Sequence, residues 1–182
     1  DGAKNFNIDL NNWDTSSANG FYSMFKDASN FNGNIGNWDV SSSTNMSSMF
    51  EGATRFEKDI SHWDVSNVLD MSRMFKNASN FNNDLNKWNV SKVSDMSSMF
   101  ENATNFTGKV SQWDVSSVKD MSYMFSFLDD RSDHSHNNFN SDLSNQMVNI
   151  IMCKLMLSRC IHITCHFPVK NNSYFTLYQI VC

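Results

Sequence analysis

Two groups of side chains in this sequence are of kinds that hold cations. The first recurs: Asp14, Asp39, Asp64, Asn89 and Asp114 each follow a tryptophan and precede by two residues a serine, Ser16, Ser41, Ser66, Ser91 or Ser116. If these segments stack, the carboxylates lie roughly 4.8 Å apart and offer oxygen ligands to calcium. The rival role is structural, because serine hydroxyls and turn amides can hydrogen-bond such carboxylates. Repulsion at that spacing is only about 0.9 kcal/mol per pair in water. Asn89 in the column, and the lack of a Gly-rich loop with alternating Asp, favour the structural role. The second group is Cys160, His162, Cys165 and His166 in "CIHITCHF". Its spacing is irregular and holds no CxxC pair, so no metal is assigned. His134 and His136 lie in the polar run "LDDRSDHSHNN", which reads as loop. No Ser, His and Asp arrangement stands out, and no P-loop or GxGxxG turn is present. Catalytic residues and cofactors are therefore both assigned as none.

Binding residues are sought in columns that change from one copy to the next, since a column that never changes serves stacking. Before each tryptophan stand Asn12, Asn37, His62, Lys87 and Gln112; after each constant serine stand Ser17, Ser42, Asn67, Lys92 and Ser117. Both columns are expected to project from one side of the molecule, where differing charge and size give a partner a register to read. Asn37, His62, Lys87, Gln112, Asn67 and Lys92 are the candidate binding residues, with Lys87 and Lys92 making a basic spot on an acidic face.

Such columns need a repeating scaffold. The five tryptophans fall at Trp13, Trp38, Trp63, Trp88 and Trp113, a strict period of 25. Phe6 to Phe106, Phe25 to Phe125 and Ala3 to Ala103 keep the same step, as do Leu10, Ile35, Ile60, Leu85 and Val110. All are apolar, with Asn, Asp, Ser and Lys between them. A period of this size signals coils that bury their apolar side only by stacking on neighbours. Within the coil "FNNDLNKWNVSKVSDMSSMFENAT", Trp88 and Val90 share one face of an extended segment, which predicts a strand. Met96, Met99, Phe100 and Ala103 stand at i, i+3, i+4 and i+7, the stripe of a short helix, with Asp95 placed to cap it. Nine of the twelve methionines occupy such columns and are read as core rather than as a soft-metal stripe.

Residues 1–125 are thus five 25-residue repeats, and the predicted fold is an α/β repeat solenoid with short parallel strands and short helices. Five coils would span about 24 Å. Residues 126–146 are a degenerate sixth copy: its Phe arrives at Phe139, eight residues late, and Gln146 stands where a Trp is due. From Met147 the register is lost, and residues 147–182 hold all four cysteines, the one proline and no Asp or Glu. This segment is read as a non-repeat tail that resembles translated non-coding sequence or a disordered stretch. Cysteine pairing outside the cell is open, and its connectivity is not legible. The residues before the tail hold 11 of the 14 basic and all 19 acidic groups, a balance of −8 that argues against nucleic acid. "MVNIIMCKLML" is too short to span a membrane. Asp1 lies inside a repeat without a Met or signal sequence, so the chain reads as a fragment, and membrane association is expected only through segments outside it. Sequons at Asn45, Asn77, Asn89, Asn102, Asn105 and Asn171 are what an Asn- and Ser-rich chain produces.

The phrase "FxxDIxxWDVSxVxDMSxMFxxAxxF" resembles the repeat of BspA-like leucine-rich-repeat surface proteins, which occur in bacterial surface and lipoprotein sequences and in microbial eukaryotes. The resemblance covers residues 1 to about 125, with a weakened copy to about 146. It implies an extracellular or cell-surface solenoid used for adhesion or protein contact, with no catalytic residues to carry over. The expected function is accordingly non-catalytic binding of an unknown protein or surface ligand. The alternative is a structural spacer carrying a functional domain that lies elsewhere.

Overall fold

The computed structural model describes residues 1–126 and two short strands, β1 (His166–Val169) and β2 (Ser173–Thr176). These pair antiparallel, His166 opposite Thr176 and Val169 opposite Ser173. His166 therefore opens β1. The rest of the sixth copy and of the tail, including His134, His136, Cys160, His162 and Cys165, lies outside the described residues.

Residues 1–126 stack in register at the 25-residue period, but the predicted α/β solenoid is not what forms. Among the described residues there is no helix, and the repeat region contains no regular strand. The Trp-x-Val segments join no neighbouring coil through backbone hydrogen bonds, although Trp88 and Val90 are buried and Asn89 between them is exposed. Burial alternates there without a ladder. Parallel pairing instead occurs as isolated bridges in another column, Gly20 to Asn45 to Asp70 to Asp95 to Asp120.

The segment expected to be a helix shows why. Met99, Glu101 and Ala103 amides close four-residue turns onto the carbonyls of Met96, Ser98 and Phe100 at 3.2, 3.1 and 3.0 Å. The alternate amides of Met96, Ser98, Phe100 and Asn102 leave the coil and reach Asp120, Ser122, Met124 and Ser126 of the next one, at 2.7–2.9 Å. A helix would turn all these amides along its own axis. Here left-handed residues, Ser98 (φ 56°) and Asn102 (φ 57°), interrupt the run every fourth position. They stand third in the turns 96–99 and 100–103, where type II turns require positive φ. A four-residue turn repeats almost as often as the 3.6 residues of a helix, so it buries the same i, i+3, i+4, i+7 positions. Asp95 caps no helix; its Oδ1 accepts the Ser97 amide at 2.8 Å in a local turn.

Packing follows the turns. The buried side chains form one cluster running through all five coils. Where one repeat passes into the next, two phenylalanine rings six residues apart lie face to face, as in Phe75–Phe81 at 3.8 Å and Phe100–Phe106 at 4.0 Å. Between coils each stacks on its own column, Phe50–Phe75 at 5.6 Å and Phe56–Phe81 at 6.0 Å, within the range of favourable aromatic pairs. The indole Nε1 of Trp38, Trp88 and Trp113 donates to the carbonyls of Leu10, Ile60 and Leu85 of the preceding coil. Coils approach so closely that a Cβ on Gly108 would run into the Asn83 carbonyl.

Two stability measurements check this architecture. Trp63→Ala removes a side chain only 4 % exposed and is expected to cost about 3–5 kcal/mol, whereas the exposed Lys87→Ala stays within about 0.5 kcal/mol; equal thermal shifts would place the Trp column outside the core. Asn77 has φ 59°, so Asn77→Val is expected to lower stability by more than about 1 kcal/mol. Asn77→Gly forfeits the bond from Asn102 Nδ2 (3.0 Å) but no backbone comfort, and costs less.

Candidate functional site

Three columns of the repeat begin Asx turns, the first in all five coils and the others in four and three, in which a side-chain oxygen accepts the amide two residues on and replaces a backbone bond. After each tryptophan, Ser41 donates both its amide (3.0 Å) and its hydroxyl (2.6 Å) to Asp39 Oδ1. Ser16 does the same to Asp14 and Ser91 to Asn89, while the amides of Ser66 and Ser116 reach Asp64 and Asp114. A second set is built on Asn45, Asp70, Asp95 and Asp120, with Ser47, Ser72, Ser97 and Ser122 as donors. A third uses Asp9, Asp59 and Asp84. The recurrent Asp-x-Ser is therefore turn chemistry. Asn89 fills the same place with the same geometry, so the turn does not depend on the charge. Among the described residues no group of three or more His, Cys, Asp or Glu is arranged to hold a metal ion.

These turns set the acid–base character of the face. The hydroxyl and then the amide of the following serine hold Asp14, Asp39, Asp64 and Asp114 below the ordinary carboxylate range. Repulsion from Asp14 on Asp39, and from Asp39 on Asp64, opposes this without overturning it. The Ser61 amide, then its hydroxyl, lowers Asp59, with His62 and Lys87 assisting.

All six candidate binding residues are exposed. The structure ties most of them along the stack rather than to one another. His62 Nε2 donates to Gly36 O at 2.8 Å, Asn67 Nδ2 to Ser41 O at 2.9 Å, and the Gln112 amide to Asn86 Oδ1 at 3.2 Å. The Asn37 amide donates to Asn11 Oδ1 at 2.8 Å. Lys92 Nζ donates to Asn67 Oδ1 at 2.7 Å, the single hydrogen bond between two of the six. Lys87 and Lys92 weakly favour the ionised forms of Asp59 and Asp64 in the preceding coil. The two columns chosen for their variation leave out further exposed side chains. Tyr22, Leu69 and Tyr123 are large and exposed in columns otherwise mostly polar. Leu69 shares its column with Asn19, Thr44, Ser94 and Lys119, and that spread was the signal that could have found it.

A family model described as "Mycoplasma protein of unknown function, DUF285" matches residues 1–86, 32–145 and 85–164. The chain belongs to the DUF285 family. Three overlapping matches to one model are the mark of a repeat protein in this family, and the third runs past Gln146, where the columns cease to be legible in the sequence. No curated protein and no solved structure matches the chain. Among the described residues no helix is long and apolar enough to cross a membrane.

The turn carboxylates give a pH dependence with a fixed sign. Their folded pKa values lie below the unfolded value of about 3.9, so the stability they add is present above pH 4 and is lost as pH falls toward the folded values. Melting temperature should drop on acidification from pH 5 to 2. Asp39→Asn with Asp64→Asn should keep the turns, as Asn89 does, lose the carboxylates' increment at pH 7, and make the acid fall shallower. If the column serves turns alone, chelator should change nothing at neutral pH, because no bound ion would then contribute to the folded state; a calcium-dependent rise lost in the double variant would restore the cation ladder.

Proposed function

We propose that this DUF285-family chain is a non-catalytic binding protein of the cell surface or extracellular space, which reads a protein or surface ligand through its variable exposed columns. One observation carries the reading. Every polar column that stays constant between coils is engaged in a turn, as with Asp39 and Ser41, whereas the columns of His62 and Lys87 and of Asn67 and Lys92 are exposed and vary. Constancy is thus accounted for by the scaffold, which leaves the exposed, varying columns free to serve a partner. Leu69 adds apolar area two residues beyond Asn67, of the kind binding surfaces use. The likeness of the repeat phrase to BspA-like surface proteins supports an adhesive role outside the cell. Contact residues of moderate size and mixed polarity suit a protein surface better than a buried small-molecule pocket.

Labelled full chain is tested for saturable binding to immobilised extracellular-matrix glycoproteins and to intact cells. His62→Ala, Lys87→Ala and Lys92→Ala combined should weaken that binding about tenfold, which corresponds to about 1.4 kcal/mol, with the melting temperature unchanged. Absence of binding, or binding indifferent to the three changes, favours a spacer role and ends this reading.

A further inference from the structure

The first coil presents a face that every later coil has covered. Trp13 is 53 % exposed, whereas Trp38, Trp63, Trp88 and Trp113 are 2–4 % exposed. Beside it lies a shallow depression of about 210 Å³, with Phe6, Leu10, Trp13, Met24 and Phe25 in its lining. These are the first-coil members of the columns that form the core. The backbone of this face is open in the same way. In the second coil the carbonyls of Asn45, Ser47 and Met49 accept the amides of Phe21, Ser23 and Phe25 at 2.9, 3.0 and 2.9 Å. Their counterparts in the first coil, Gly20, Tyr22 and Met24, accept no backbone hydrogen bond among the described residues.

We propose that this face is a docking surface for one further coil of the same 25-residue pattern, added head to tail. Continuity with the interface between coils argues for that occupant, because the same apolar columns and the same acceptor row are met by such a coil at each of the four internal junctions. The acceptor row also excludes the simplest rival. Two copies of the chain meeting face to face would set the carbonyls of Gly20, Tyr22 and Met24 against carbonyls, leaving polar groups unpaired as apolar surface is buried. A coil of the repeat instead brings alternate outward amides, as Phe21, Ser23 and Phe25 do. An unrelated helix has none to spare, since its amides are spent along its own axis. The surface is separate from the variable columns and does not depend on what they bind.

The test adds a coil to the full chain. A copy of residues 51–75, with its tryptophan changed to Phe, placed directly before Asp1 keeps the period and leaves Trp13 as the one tryptophan whose surroundings change. In the parent chain the readily quenched part of the tryptophan emission under acrylamide belongs to Trp13, and Trp13→Phe removes it. In the extended chain that component is expected to vanish without any change at Trp13, and the melting temperature to rise by several degrees. A second extension, made from residues 76–100 with the same Trp→Phe change, guards against one copy failing to fold. Persistence of the quenched component in both extended chains overturns the proposal. So does a closed dimer of the parent chain in sedimentation that shields Trp13, which would make a second copy the occupant.

Discussion

No coil of this protein can satisfy its own backbone. In the ribbon from Met96 to Asn102, every second amide closes a turn and every other one points out of the coil to the next. An outward amide buried without a partner costs about 1–3 kcal/mol, so a coil without a neighbour is short of both hydrogen bonds and apolar cover. Left-handed residues impose this alternation. With Ser98 and Asn102 in a helical conformation, the amides would turn inward along an axis and the stack would lose its bonds. Non-glycine residues rarely take positive φ, and of the eight such positions among the described residues all but Tyr123 donate their amide to the next coil, which holds them in place.

The strict period follows from that dependence. A ring such as Phe75 touches Phe81, six residues on, and Phe50 and Phe100 of the same column, so one residue gained or lost in a coil would displace a ring from two stacks at once. Amides would fail in the same step, because Phe75 donates to Met99 and Ser98 to Ser122 across a constant offset. Charge is distributed to suit the stack as well: Lys26 meets Glu51 at 3.2 Å and Lys76 meets Glu101 at 2.9 Å, in one column whose sign alternates. The side chains of these pairs are 13–30 % exposed, and like charges placed there would oppose each stacking step.

Much of this was legible in the sequence, and the misreadings have definite causes. Trp, Phe, Ala and Met columns named the core correctly, since burial depends on spacing and not on which backbone produces it. Helix and strand were misassigned for the same reason: a chain of four-residue turns buries Met96, Met99, Phe100 and Ala103 as a helix would, and Trp88 and Val90 alternate with Asn89 without pairing to anything. One column held the correction. Gly2, Asp27, Gly52, Asn77 and Asn102, all with positive φ, are the residue types that tolerate the left-handed region best, and five in register forbid a continuous helix. The other left-handed column, Ser23, Ser48, Arg73, Ser98 and Tyr123, carries no such mark, because there tertiary packing overrides local preference. Asp-x-Ser was correctly read as turn chemistry after the tryptophans, and its recurrence at Asp70 and Ser72 is the same signal. The candidate binding columns were legible as exposed. That their members bond along the stack was not, because Lys92 to Asn67 and His62 to Gly36 depend on how adjacent coils are offset.

This division of labour bears on how such a surface can change. Backbone demand is met by the turns, and apolar demand by the rings, so a side chain in the column of Asn37, His62, Lys87 and Gln112 is under little obligation to the fold. His62 and Asn67 each donate to a carbonyl of the preceding coil, but those oxygens are at the surface, where water replaces a lost donor at small cost. Substitution there alters charge, size and hydrogen-bonding capacity while the spacing to the next coil is held by bonds that do not involve it. The scaffold is rigid in the direction of the stack and permissive across this face. A repeat built in that way can acquire or lose a partner through single exposed residues, whereas a change at Phe75 or Asn102 disturbs three coils together.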